Sequence, residues 1–281
     1  MTRSVSGWTT NLIREAGASC CDRRERIGVA AADAAAVEIR EAGWMEGPGS
    51  RIGVLAPMPS ELRPVVKAMG LTARGDGAYA GRVGAVEVVA MGTGMGLARA
   101  TDAVTRLLNN EAVDHVMVVG IAGGIGTARV GDIICPAIVV DGATGASFSA
   151  MPIGPVDGTI SSSDEFVVDP ERIGALVDAG VRAVDMETAA IAAVCVQRGC
   201  AWSAVRVVSD RATDHPDTAV LGLAHPDGSP NVPAALKFMA THPTRIPGLL
   251  RLGRDATKAA SQAAAEATRR IHTITADPGR A

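Results

Sequence analysis

The sequence predicts an α/β domain built around a central mixed β-sheet, and three observations predict it. Short apolar stretches alternate with longer helix-forming segments, and no change of composition divides the chain after its first fifty residues. Two of the apolar stretches run directly into glycine-rich segments, the usual form of a strand feeding a turn. Hydrophobic residues make up 47% of the chain alongside 32 glycines, which supplies both core and tight turns. Aromatic residues are only 2%, so the core falls to Ala, Val, Leu and Ile. At 281 residues the chain can hold one large domain or two small ones. The even alternation favours one.

Residues 1–50 differ from the rest. Thr9 to Cys21 has no clear period, Ala30 to Ala42 is Ala-rich and helix-compatible, and Glu46 to Ser50 is a Gly/Pro break. This segment reads as an extension outside the core, or as the product of an early start codon, and is assigned no function. The core spans residues 51–281. Ile52 to Ala56 reads as a strand, Pro57 to Glu61 as a turn and Leu62 to Met69 as a helix. A hairpin follows, pairing Ala78–Arg82 with Val86–Ala90. Gly92 to Gly96 then opens a helix over Leu97–Asn109. A strand from His115 to Val119 enters the run Gly120–Gly126, and a long β run is expected from Ile133 to Asp141. Ala143 to Pro155 reads as loop, Thr159 to Ser163 as strand and Pro170 to Ala179 as helix. After the acid pair Asp185 and Glu187 comes an Ala-rich helix that Gly199 should stop. A strand over Ala201–Val208 follows and delivers Ser209 and Asp210 at its carboxyl end. Asp214 to Asn231 is irregular, and helices over Pro233–Ala240 and Pro247–Ile271 close the chain.

Composition removes several function classes. A net charge of −3 with no basic cluster argues against nucleic acid, because neutralising phosphates takes grouped Lys and Arg. No apolar run is long enough to span a bilayer, and the first residues lack the apolar core of a signal peptide. Cys20 and Cys21 are adjacent, and none of Cys20, Cys21, Cys135, Cys195 and Cys200 has metal-ligand spacing with a histidine. A cytoplasmic protein without metal or cofactor is expected. His215, Asp217 and His225 are more readily solvated loop residues than metal ligands. Gly92, Gly94 and Gly96 carry Leu97 where a dinucleotide fingerprint needs its last glycine, which disfavours a nicotinamide oxidoreductase. Both glycine runs read either as tight turns or as places where backbone approaches a ligand.

Three carboxylates remain for acid–base chemistry: Glu61, Glu187 and Asp210. Each falls where ligands bind in open α/β sheets, past the carboxyl end of a strand or at a helix start. The alternative is that Glu187 and Asp210 merely cap helices.

Taken together, I-G-V-L-A-P-M-P-S-E (Ile52–Glu61), V-G-I-A-G-G-I-G (Val119–Gly126), V-G-D-I-I (Val130–Ile134), S-S-D-E-F (Ser162–Phe166), V-D-M-E-T-A-A-I-A (Val184–Ala192) and R-V-V-S-D (Arg206–Asp210) resemble the purine nucleoside phosphorylase superfamily. Within it the chain is most similar to the methylthioadenosine/S-adenosylhomocysteine nucleosidases, from Arg51 to about Ala212. H-P-D-G-S-P-N-V and P-G-L-L-R-L-G-R-D, further on, resemble the hopanoid-associated phosphorylase or adenosylhopane nucleosidase branch. The resemblance implies a three-layer α/β/α fold, cleavage of the bond between ribose and a purine, and a homodimer or larger assembly. It implies that Asp210, in its protonated form, gives a proton to the leaving base and that Glu61 activates water. It also implies that Glu187 grips the ribose hydroxyls with Met186 beneath the sugar, while Phe166 and the backbone of Val167 hold the base. Ile121, Ala122, Gly123 and Ser209 complete the substrate-binding set.

The departures bear on the nucleophile. Ile121 stands where these nucleosidases carry Ser, and Val118 stands where bacterial phosphorylases carry an Arg, which favours water over phosphate. Asp185 replaces the usual Glu of the acid pair, a mild change outside the ribose contact. Ala143–Pro155 lacks the family's His/Asp pattern and leaves the 5′ substituent open. Phosphorolysis is the near alternative, and a non-catalytic nucleoside binder would not need both Glu61 and Asp210.

Overall fold

The computed structural model describes residues 50–165, 167–211, 225, 229 and 231–276. Apart from Ser50, the proposed N-terminal extension lies outside them, as does most of the irregular stretch from Asp214 to Asn231. The strands are β1 (Arg51–Ala56), β2 (Thr72–Ala73), β3 (Tyr79–Val83), β4 (Val86–Gly92), β5 (His115–Gly124), β6 (Ile133–Ile134), β7 (Ile138–Asp141), β8 (Ser147–Ser149), β9 (Thr159–Ser162), β10 (Val181–Asp185) and β11 (Ala201–Arg211). The helices are α1 (Pro59–Met69), α2 (Leu97–Asn110), α3 (Pro170–Asp178), α4 (Thr188–Arg198), α5 (Val232–Thr241) and α6 (Ile246–Ala276). The strands form one mixed sheet in the order β2-β3-β4-β1-β5-β10-β9-β7-β8, with β11 also paired along β5 and β6 paired with β11.

Alternation along the central strands sorts side chains into two layers. Val116, Val118, Trp202, Ala204 and Val208 face α2 and α4, where they meet Val104, Leu107, Ile191 and Cys195. Met117, Val119, Val205 and Val207 face the other way, toward Val65 and Met69 of α1 and the alanine face of α6. That face repeats at Ala259, Ala263 and Ala267, all buried, so the long helix lies close on the sheet without large side chains. Gly199 ends α4 in the left-handed conformation, φ 65°, as its position in the sequence predicts.

The structure corrects four local expectations. The β run from Ile133 to Asp141 is broken at Cys135–Ala137, where Pro136 has no N–H for a ladder. β6 turns to β11, while β7 joins β9 and β8. The segment Ala143–Pro155, read as loop, contains β8. Val181–Asp185, left unassigned, is a strand that delivers the acid pair. Gly120–Gly124, read as a loop, continues β5.

This last difference builds the site. β1 pairs with β5 only as far as Leu55 and Val118. On the same edge, β10 takes over antiparallel at Gly123 and Gly124. Between these partners the β5 backbone has no neighbouring strand on that edge, and a crevice opens beyond the carboxyl end of β1.

Candidate active site

Glu61 fills the gap in the ladder. It sits in the first turn of α1, and its carboxylate reaches back to accept the Met58 N–H at 2.8 Å. Its other oxygen accepts the Ile121 N–H of β5, also at 2.8 Å. A backbone donor left by the parting of β1 and β10 is thereby satisfied by a side chain. The carboxylate is buried, and that burial raises its pKa to about 7 against the opposing pull of Arg206 and the two N–H donors.

Glu187 does not cap its own helix. The first N–H groups of α4 are met by Asp185, which accepts from Glu187 at 3.3 Å and Thr188 at 3.2 Å. Glu187 instead accepts the Gly96 N–H, at the start of α2, at 3.0 Å. It is 5% exposed, and burial pushes its pKa up to about 8, with Arg206 opposing and Asp185 and Glu61 adding to the rise. Asp210 lies in the last turn of pairing between β11 and β5, beside a bulge after Val208, and accepts from the hydroxyl of Ser209. It too is no helix cap.

A residue that carried no role in the sequence reading joins these acids. Arg206, inside β11, has a side chain that is 0% exposed. Its Nη2 stands 2.6 Å from Asp185 and 3.5 Å from Glu187, its Nη1 3.9 Å from Glu61, and it donates to Thr188 Oγ1 at 3.0 Å. Burial works against its charge, and the three carboxylates more than offset this. The signal was present in R-V-V-S-D: an arginine amid a strand of apolar residues must be paired if the strand is central. Gly120 makes room for the cluster, because a Cβ there would lie 2.2 Å from Glu61 Oε1 and 2.5 Å from Arg206 Nη1. Its lack of a side chain, rather than a tight turn, is what this position uses.

A cavity of about 260 Å³ opens at the crevice. The structure brings Glu61, Ile121, Ala122, Gly123, Val167, Met186, Glu187, Ser209 and Asp210 together on its wall, with Asp185 and the apolar Met58, Met95 and Val168. Phe166 lies outside the described residues. Asp185, given no role beyond a mild change outside the ribose contact, supplies the closest carboxylate partner of Arg206. Among the described residues no three His, Cys, Asp or Glu stand together as a metal site, and no helix is long and apolar enough to cross a membrane. His215 and Asp217 are outside the described residues. Two groups at pKa values of about 7 and 8, with Asp185 and Asp210 on the same cavity wall and a paired guanidinium behind it, suit proton transfer near neutral pH.

Comparison with known proteins gives this geometry a family. A 5′-methylthioadenosine/S-adenosylhomocysteine nucleosidase of Shewanella putrefaciens is 28% identical over 201 residues, covering 58% of this chain and 87% of that one. Among solved structures, the corresponding nucleosidase of Neisseria meningitidis, in complex with methylthio-immucillin-A, aligns over 80% of this chain and 99% of its own, with TM-score 0.61 and 21% identity. Futalosine hydrolase of Helicobacter pylori aligns over 81% and 98%, with TM-score 0.58 and 17% identity. Both share the α/β fold with its mixed central sheet. The family profile described as the phosphorylase superfamily matches residues 51–155 and 146–227, and the chain belongs to that superfamily.

Proposed function

We propose that residues 51–281 form an adenine-type nucleosidase that cleaves the N-glycosidic bond of a 5′-substituted adenosine with water as the nucleophile. The observation that carries this reading is the state of Arg206. The described residues lining the cavity include no Lys or Arg, and the guanidinium behind it is already bound to Asp185, Glu187 and Glu61. A phosphate dianion placed there would meet carboxylates and no unengaged cation. Water meets no such penalty, and Glu61, with a pKa of about 7, is suited to take its proton.

Bond breaking loads positive charge onto the ribose and electron density onto the base. In this reading Asp210 passes a proton to the leaving purine, and Ser209 holds its carboxyl in place. Glu187 binds the ribose hydroxyls, and its anionic form offsets the oxocarbenium charge. The Gly96 N–H and Arg206 fix the position of Glu187. The backbone of Val167 and the side chain of Met186 line the base and sugar parts of the cavity. The apolar side chains of Met58, Met95 and Val168 fit an uncharged 5′ substituent, from a methylthio group to a larger hydrocarbon.

The test is adenine release from methylthioadenosine, S-adenosylhomocysteine and adenosine, each with and without phosphate. Release with free sugar at a rate indifferent to phosphate is expected. Strict dependence on phosphate would make the enzyme a phosphorylase. Asp210→Asn should abolish turnover while nucleoside binding persists, and wild-type turnover in that variant would remove Asp210 from the mechanism.

A further inference from the structure

Asp185 is the shorter acid of the pair around Met186, and its side chain is only 2% exposed. One carboxylate oxygen accepts from the Ser162 hydroxyl and from the N–H groups of Glu187 and Thr188, which open α4. The other accepts from the Thr188 hydroxyl and stands 2.6 Å from Arg206 Nη2. Arg206 is farther from Glu187, at 3.5 Å, and from Glu61, at 3.9 Å. Asp185 therefore grips both the helix start that carries Glu187 and the guanidinium shared by the other two acids.

We propose that Asp185 is a positioning residue: by binding Arg206 and the first turn of α4 together, it sets how much of the guanidinium's charge reaches Glu61 and Glu187. Glu61 is faced by Arg206 from β11, the Ile121 N–H from β5, the Met58 N–H from the start of α1, and Asp185 from the end of β10. Glu187 is faced by Arg206, the Gly96 N–H, Asp185 and Glu61. Removing the charge of Asp185 takes a negative neighbour from both glutamates and releases Nη2 toward them, so both changes favour their anions. A weaker base at Glu61 and a Glu187 drawn toward Arg206 would then slow the reaction. This kinetic consequence rests on the nucleosidase reading, whereas the electrostatic one does not.

The experiment is a carboxyl ¹³C-NMR titration of the full chain labelled at glutamate, with Glu61 and Glu187 assigned by loss of their signals in E61Q and E187Q. In D185N both midpoints should fall by about one pH unit, the lower end of a neighbouring-charge effect. D185S keeps an oxygen to cap α4 and should show the same shift, which covers a D185N chain that fails to fold. S162A, which touches Asp185 but leaves its bond to Arg206, should leave both midpoints in place. The acid limb of kcat/KM for adenine release should move down with the titration, and D185E should restore both. Unchanged midpoints in a folded D185N or D185S would reduce Asp185 to a helix cap and overturn the proposal, whatever the activity. Shifted midpoints in the variants, alongside a wild-type chain that releases no adenine, would uphold it and instead overturn the nucleosidase reading.

Discussion

Two arginine–carboxylate networks lie at opposite edges of the same sheet. At the amino-terminal edge, Arg51 pairs with Glu87 and Glu111 at 3.0 Å each, and Arg74 pairs with Glu111 at 2.7 Å. At the carboxyl edge Arg206 meets Asp185 at 2.6 Å but Glu187 and Glu61 only at 3.5 and 3.9 Å. By distance alone the first network is the better built. Of its side chains, however, only Glu111 is largely covered, at 11%, and Arg51, Glu87 and Arg74 are 34%, 37% and 39% exposed, whereas no member of the second exceeds 6%. Water screens the first, and such pairs contribute little. In the second, desolvation dominates and lifts two glutamates toward neutral pH. An open cleft of about 430 Å³, lined by Glu111, Asp114, Arg198 and Cys200, lies beside the exposed network, so a cavity by itself does not mark the site. Charge kept from water distinguishes the end proposed as the active site.

The largest way to break this contrast is Arg206→Met, which strands three buried carboxylates. Denaturant unfolding at pH 8 should show a loss of about 3–5 kcal/mol, with a smaller loss at pH 5, where the acids can take up protons. A loss below about 1 kcal/mol at pH 8 would place this network with the exposed one.

The pH dependence of the wild-type chain sharpens the same point. Glu61 and Glu187 bind protons more tightly folded than unfolded, so the folded chain keeps protons that the unfolded chain has released above about pH 4.5. Their contribution to stability is therefore full below that pH and is lost as pH rises through about 7 and 8. Unfolding followed from pH 5 to 8.5 should show stability falling by up to about 1.4 kcal/mol per pH unit for each proton. Glu61→Gln should flatten part of that slope. Activity that needs anionic Glu61 should rise over the same range, opposite in sign.

Gly120→Ala tests the space on which the buried network depends. Overpacking against Glu61 and Arg206 should cost about 1–3 kcal/mol in unfolding experiments and lower kcat/KM at least about tenfold. Unchanged kinetics would show that the cluster tolerates displacement. The smallest effect belongs to the exposed end: Arg51→Ala should change stability by less than about 1 kcal/mol, with adenine release unaltered.

Much of the site could be read from residue type and order. Apolar runs and glycine stops located β1, α2, α4 and β11, because burial of a strand and termination of a helix are local problems. The same reading put Glu61, Glu187 and Asp210 at chain positions that the mixed sheet gathers around one crevice. It missed Arg206 and the place of Asp185, because an arginine in an apolar strand announces only that it needs partners. Those partners come from the start of α1 and the turn between β10 and α4, which only the packed sheet brings together.

The glycine run shows the division most plainly. Sequence by itself determined that Gly120, Gly123, Gly124 and Gly126 carry no side chain, and hence that something could come close there. Tertiary structure decided what comes close, because β1 ends and β10 begins on the same edge of β5, leaving the Ile121 N–H to a carboxylate and the space above Gly120 to its counter-ion. Propensity and periodicity act over a few residues, whereas desolvating one guanidinium among three acids depends on every layer that excludes water from them.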